Sequence, residues 1–179
     1  TTYMAMDWLD RAEEVCRTAL RIEPNFVPAI HSLGIVLTRN KQFEGAEQAF
    51  RQVIDIVPRH SQAISNLAAL YSTQERFGEA EGLFKQAILI EPKNAHAYIN
   101  LGVCYAELGQ MEEALKALRK ALECDPNNID AYYALLTSGK EALEPAALTN
   151  LEAILTSTTV ALTSDQRTKA HFTLAMQYD

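Results

Sequence analysis

Along this chain apolar residues recur every three or four positions, in stretches of about 14 residues broken by short polar segments, which predicts amphipathic helices throughout. Residues 61–94 show the pattern most plainly. Ile64, Leu67, Ala68 and Tyr71 share one helix face, and Ala80, Leu83, Phe84 and Ala87 share another, with a turn expected near Gln74-Glu75-Arg76. The same two-helix pattern returns at a fixed interval. Pro24, Pro58, Pro92 and Pro126 stand 34 residues apart, and other columns keep that period. Small residues fill Gly34, Ala68, Gly102 and again Ala12, Ala46, Ala80, Ala114. Large ones fill Leu33, Leu67, Leu101, the pair Phe50 and Phe84, the pair Tyr71 and Tyr105, and Phe43 and Phe77 with Met111 in register.

Small residues on both helices of a pair let the backbones approach, so Gly34, Ala68 and Gly102 are expected to meet Ala46, Ala80 and Ala114. Each proline ends a second helix, because it cannot donate to the preceding turn and forces the residue before it out of the helical region. Asn94 and Asn127-Asn128 follow as turn and capping residues. The period divides the chain into a half unit at 7–26, full units at 27–60, 61–94 and 95–128, a divergent unit at 129–162 and a half unit at 163–179. In the divergent unit Leu136 and Leu148 stand in the small columns and Gly139 in the Tyr column. Overfilling such a contact costs roughly 1–3 kcal/mol, so this helix pair is expected to be splayed or shifted. Pro145 suits the first turn of its second helix, which should stop near Thr156-Ser157-Thr158-Thr159. Thr163-Ser164-Asp165 then caps a last helix. With no initiator Met, and with ends inside repeats, the chain reads as cut from something longer.

Composition supplies the fold class. Ala and Leu account for 26 and 21 of 179 residues against 7 Gly and 6 Pro, which favours an all-α protein over a turn-rich sandwich or barrel. A net charge of −7 disfavours nucleic acid and anionic membrane as partners. Apolar runs such as Ala87-Ile88-Leu89-Ile90 fall far short of the roughly 20 residues a membrane span needs, and the opening residues, with no basic region and no apolar run before Asp7, predict no signal peptide. Cys16, Cys104 and Cys124 cannot all pair and show no Cys-x-x-Cys spacing, which suits inert thiols in a reducing, cytoplasmic setting. His31, His60, His96 and His171 are scattered without metal-ligand spacing, and there is neither a phosphate-cradling glycine loop nor Gly-x-Ser-x-Gly. Glu13-Glu14 and Glu112-Glu113 read as solvated helix faces, and Trp8 as a cap on the N-terminal core. No catalytic residue, cofactor or metal is expected.

Ala97-Tyr98-x-x-Leu101-Gly102-x-x-Tyr105, followed by Gly109-x-x-x-x-Ala114 and Pro126, resembles a tetratricopeptide repeat, and the units at 27–60 and 61–94 match it too. The resemblance implies a right-handed superhelix, an α-solenoid of antiparallel helix pairs whose first helices line a concave groove. By register the groove residues are His31, Ser32, Ile35, Arg39, Gln62, Asn66, Ala69, Thr73, His96, Asn100, Val103, Glu107, Tyr133 and Lys140. One column there reads Ser32, Asn66, Asn100, Ala134. A carboxamide can hold a peptide amide through both donor and acceptor, so two in register would grip an extended chain. Repeat-containing O-glycosyltransferases use such asparagines in an Asn-Leu-Gly motif, which Asn100-Leu101-Gly102 matches and Asn66-Leu67-Ala68 nearly matches. The plainer reading has Asn bonding only the neighbouring helix. The family's carboxylate clamp would place Lys, Asn, Asn, Lys and Arg at His31, Ile35, Asn66, His96 and Asn100; only the middle Asn is present, so chaperone-tail capture is not expected.

These features predict a non-enzymatic interaction scaffold that binds a protein or extended peptide in the groove. The alternative is a substrate-recruiting arm of a larger enzyme, of sulfotransferase or glycosyltransferase type; residues 162–175 are similar to the stretch before the catalytic domain of repeat-containing sulfotransferases. Self-association is a further expectation, since the unpaired helices at 7–22 and 165–178 leave apolar faces uncovered.

Overall fold

The computed structural model describes residues 2–139, 143, 145–156 and 162–178. Within them the chain forms ten helices and no strand: α1 (Thr2–Ile22), α2 (Val27–Arg39), α3 (Phe43–Ile56), α4 (Ser61–Thr73), α5 (Phe77–Ile90), α6 (Ala95–Glu107), α7 (Met111–Cys124), α8 (Ile129–Gly139), α9 (Pro145–Thr156) and α10 (Ser164–Tyr178). The chain divides between Ile90 and Glu91 into two compact units.

Two kinds of junction repeat, each with a local cause. Where a first helix passes to a second, residues 41, 75 and 109 adopt φ of 59°, 61° and 74°, and the next amide bonds back five residues, Gln42 to Leu37, Arg76 to Tyr71 and Gln110 to Tyr105 at 2.8–2.9 Å. This is the left-handed C-terminal cap that satisfies orphan carbonyls and reverses the chain. Where a second helix passes to the next first helix, Pro24, Pro58, Pro92 and Pro126 each sit inside a four-residue turn closed by amides of Phe26, His60, Asn94 and Asn128. Proline presets φ for the second position of such a turn. In three of the four turns the side chain of the closing residue then caps the following helix. Asn94 accepts from Ala97 N and Asn128 from Ala131 N at 3.1 and 3.2 Å, while His60 does the same through Nδ1 to Ala63 N at 3.1 Å.

In the first unit α2 pairs with α3 and α4 with α5, α1 lies on α2, and α3 lies on α4. Ile30, Ala49, Val53 and Ala63 form a buried centre, with Leu20, Val27 and Ile54 packed on it. The small column works somewhat differently from its sequence expectation. A Cβ on Gly34 would stand 2.6 Å from the Phe50 ring, one turn beyond Ala46, so the glycine makes room for an aromatic ring rather than for the alanine alone. Gly102, in the second unit, faces Leu118 at 2.7 Å and the Ala114 carbonyl at 3.2 Å. Phe50, Phe84 and Leu118, again 34 apart, are all 1% exposed or less.

In the second unit α6 pairs with α7, α8 lies on both, and α10 packs on α8 and α9. Among the described residues the continuous contact seen between α6 and α7 is not repeated between α8 and α9, where Leu136 and Leu148 occupy the columns that are small elsewhere. The core instead gathers Leu118, Ile129, Tyr132, Leu135, Leu151, Ile154 and Ala170. Thr163 caps α10 reciprocally: its Oγ1 accepts from Gln166 N and its amide donates to Gln166 Oε1. The expected helix stop at Ser157–Thr159 lies outside the described residues.

Candidate functional site

Residues one helix turn off the packed columns of α2 and α4 meet in the first unit. Ile35, Thr38, Arg39, Phe50, Asn66, Ala69, Leu70 and Thr73 line an open pocket of about 430 Å³. Ile35 and Ala69 are separated by one period, as are Arg39 and Thr73. Its walls are Ile35, Phe50, Ala69 and Leu70, so the interior is apolar. Thr38 and Thr73 give their hydroxyl protons to their own helices, to Gly34 O at 2.8 Å and Leu70 O at 2.7 Å. The other polar residues of the lining are Asn66 and Arg39. Arg39 is exposed and makes no ion pair among the described residues, whereas Arg17, Arg51 and Arg76 each hold a carboxylate.

Beside the pocket, Asn66 Nδ2 donates to His31 Nε2 at 2.9 Å, which fixes the neutral ring with its proton on Nδ1. One donor of Asn66 is thus committed to the neighbouring helix; its Oδ1 accepts no hydrogen bond from the described residues. Burial, then the adjacent His60 ring at 5.0 Å between centroids, pushes His31 below the ordinary histidine value. Ser32 and Gln62 are exposed on α2 and α4, outside the pocket lining.

In the second unit α6 presents His96, Val103 and Glu107 exposed and Asn100 half-buried. The Asn100 carboxamide makes no hydrogen bond among the described residues. Tyr133 on α8 is half-buried against Phe172 of α10, ring centroids 6.0 Å apart. Lys169 lies 5.8 Å from the Tyr133 ring and bridges Asp130 at 2.7 Å and Asp165 at 2.9 Å, and those two hydrogen bonds push its ammonium up to about 12. Lys140 lies outside the described residues. Phe172 and Lys169 were not among the expected groove residues. Phe172 falls in the Tyr133 column once the five-residue displacement of the last helix is applied, so its signal is present but shifted.

A separate network ties α3, α4 and α5 together. Glu47 accepts from Tyr71 Oη at 2.8 Å, Arg51 Nε at 2.9 Å and Arg76 at 3.3 Å, and the Arg76 guanidinium stacks 3.8 Å above the Tyr71 ring. Burial would raise the Glu47 carboxyl, but these hydrogen bonds outweigh it and hold the group below its ordinary range. Among the described residues no group of three His, Cys, Asp or Glu side chains could hold a metal ion, and no helix is long and apolar enough to cross a membrane.

Three profiles described as tetratricopeptide repeat match residues 1–26, 29–57 and 72–138. The chain is a tetratricopeptide-repeat protein. No curated protein is matched by its sequence. Among solved structures, the repeat protein is similar to MamA, at 18% identity over 99% of this chain and 91% of that one, with a TM-score of 0.67. It is also similar to MamA residues 41 to the end from Desulfovibrio magneticus RS-1, at 19% identity, 95% and 84% coverage and a TM-score of 0.65. The first repeat domain of Spaghetti (RPAP3), bound to the HSP90 peptide SRMEEVD, matches at 23% identity, 64% and 90% coverage and a TM-score of 0.61. These likenesses establish the fold, an all-α array of helix pairs.

Proposed function

We propose that this tetratricopeptide-repeat protein is a non-enzymatic scaffold that binds a protein segment, in extended form, on the faces of its first helices. The observation that carries this reading is the pocket between α2 and α4. Of the groove residues expected from register, Ile35, Arg39, Asn66, Ala69 and Thr73 come together around one apolar depression with polar groups at its rim. That combination suits a ligand with side chains to bury and amides to satisfy. The family and the peptide-bound RPAP3 domain support the same mode. Asn66 in the first unit and Asn100 in the second each offer a carboxamide acceptor that no described residue occupies, worth about 0.5–1.5 kcal/mol per bond made.

The test is a peptide selected from a displayed library on the wild-type chain, titrated against Asn66→Ala with Asn100→Ala. Weaker binding with an unchanged melting temperature is expected. If every selected peptide binds the double variant as before, the asparagines are not the gripping residues. Cys16, Cys104 and Cys124 form no disulfide among the described residues, which fits a reducing, cytoplasmic setting. Self-association belongs to the same reading: on α1, Trp8, Val15 and Ile22 are 70%, 69% and 83% exposed in steps of seven, a stripe suited to a second helix.

A further inference from the structure

We infer that the pocket between α2 and α4 selects an apolar side chain flanked by a carboxylate, with Arg39 as the residue that reads the charge. The inference rests on the groove reading above and adds the chemistry of the ligand. Its floor and walls, Ile35, Phe50, Ala69 and Leu70, exclude a charged side chain from the interior, because nothing there could pair with it. The threonine hydroxyls at the wall have spent their protons on Gly34 and Leu70 carbonyls, so they draw no anion inward. An apolar group is what the interior accommodates.

The rim sets the second requirement. Arg39 is the cation that lines the pocket, and no described carboxylate answers it, in a chain whose net charge is −7 and in which Arg17, Arg51 and Arg76 find Glu13, Glu47 or Glu79 close by. A guanidinium at the mouth of an apolar site favours a carboxylate held just outside it, and pairs with it bidentately. Asn66 lines the same pocket, and its Oδ1, which accepts no hydrogen bond from the described residues, can accept from an amide of the segment between the two groups. The ligand is therefore an extended acidic–apolar peptide segment. This arrangement differs from a clamp on two carboxylates, since the positions for that clamp carry His31, Ile35, His96 and Asn100.

The test selects peptides from a random displayed library on the wild-type chain and on Arg39→Glu, and titrates the winners against Ala69→Phe and Thr73→Tyr. Both latter changes fill the pocket, and Thr73 is exposed, so that variant is not at risk of misfolding. Wild-type winners should carry Asp or Glu beside Leu, Ile, Phe or Met, and should bind Arg39→Glu about tenfold more weakly. Winners on Arg39→Glu should carry Lys or Arg instead. Winners blocked by Ala69→Phe or Thr73→Tyr yet indifferent to Arg39→Glu overturn the charge selection and leave the groove standing. Winners indifferent to both obstructions, or no winners at all, overturn the groove reading as well.

Discussion

Lys41, Glu75 and Gly109 occupy one site of the repeat three times over, each at positive φ, and the third alone is a glycine. The left-handed conformation costs a residue with a Cβ roughly 1–2 kcal/mol, so Glu75→Gly is expected to raise the unfolding free energy by about 1 kcal/mol, read as a melting temperature several degrees higher. The opposite holds at Gly102, where a Cβ would press on Leu118 and the Ala114 carbonyl. Gly102→Ala should cost roughly 1–3 kcal/mol by urea titration. His31 adds a pH dependence. Because burial and His60 depress its value from 6.5, the unfolded chain takes up the proton more readily than the folded one as the pH falls below that point. Stability is full above that window and declines on acidification through it, the more so because a protonated Nε2 can no longer accept from Asn66. His31→Gln, which keeps an acceptor without titrating, should show a smaller loss in urea midpoint between about pH 7.5 and pH 5.5; equal losses would contradict this role.

Helix ends show what the repeat does with its least regular residues. Four residues close the proline turns, Phe26, His60, Asn94 and Asn128, and Phe26 alone lends no side chain to its helix. Phe26 is 41% exposed, so Phe26→Asn should add a cap worth about 1 kcal/mol, and Asn94→Ala should remove one of similar size. Both are read from thermal melts. The asparagine caps and the turn at 74–76 were legible in the sequence, because proline and Asn act locally and carry their reasons with them. The caps at His60 and the left-handed residues at Lys41 and Glu75 were not, since a histidine ring or a charged side chain at such a site announces nothing; the period alone points to them. The lining of the pocket between α2 and α4 follows the same division. Ile35, Asn66 and Ala69 could be placed from register, whereas the bond from Asn66 to His31 depends on how closely α2 and α4 lie, a tertiary distance that no spacing encodes. Phe172 was missed because the last helix is out of strict period.

At the scale of the whole molecule, the role assigned to the chain is recognition by surface. Its two compact units each present first-helix residues that are not consumed by packing: Ile35, Arg39 and Asn66 in one, Asn100, Val103 and Glu107 in the other. The exposed stripe on α1 gives a second expectation. Light scattering across a concentration series should show a mass that rises with concentration, and Val15→Glu should hold it at the monomer; a constant wild-type mass would end the idea. The most direct test of the central claim is amide chemical-shift mapping of the full chain with a selected peptide. The largest shifts are expected on α2 and α4 around Ile35, Arg39, Asn66 and Ala69, and on the first helices of the second unit around Asn100 and Tyr133. Shifts concentrated on α3, α5 and α7, with α2 and α4 unmoved, would contradict it.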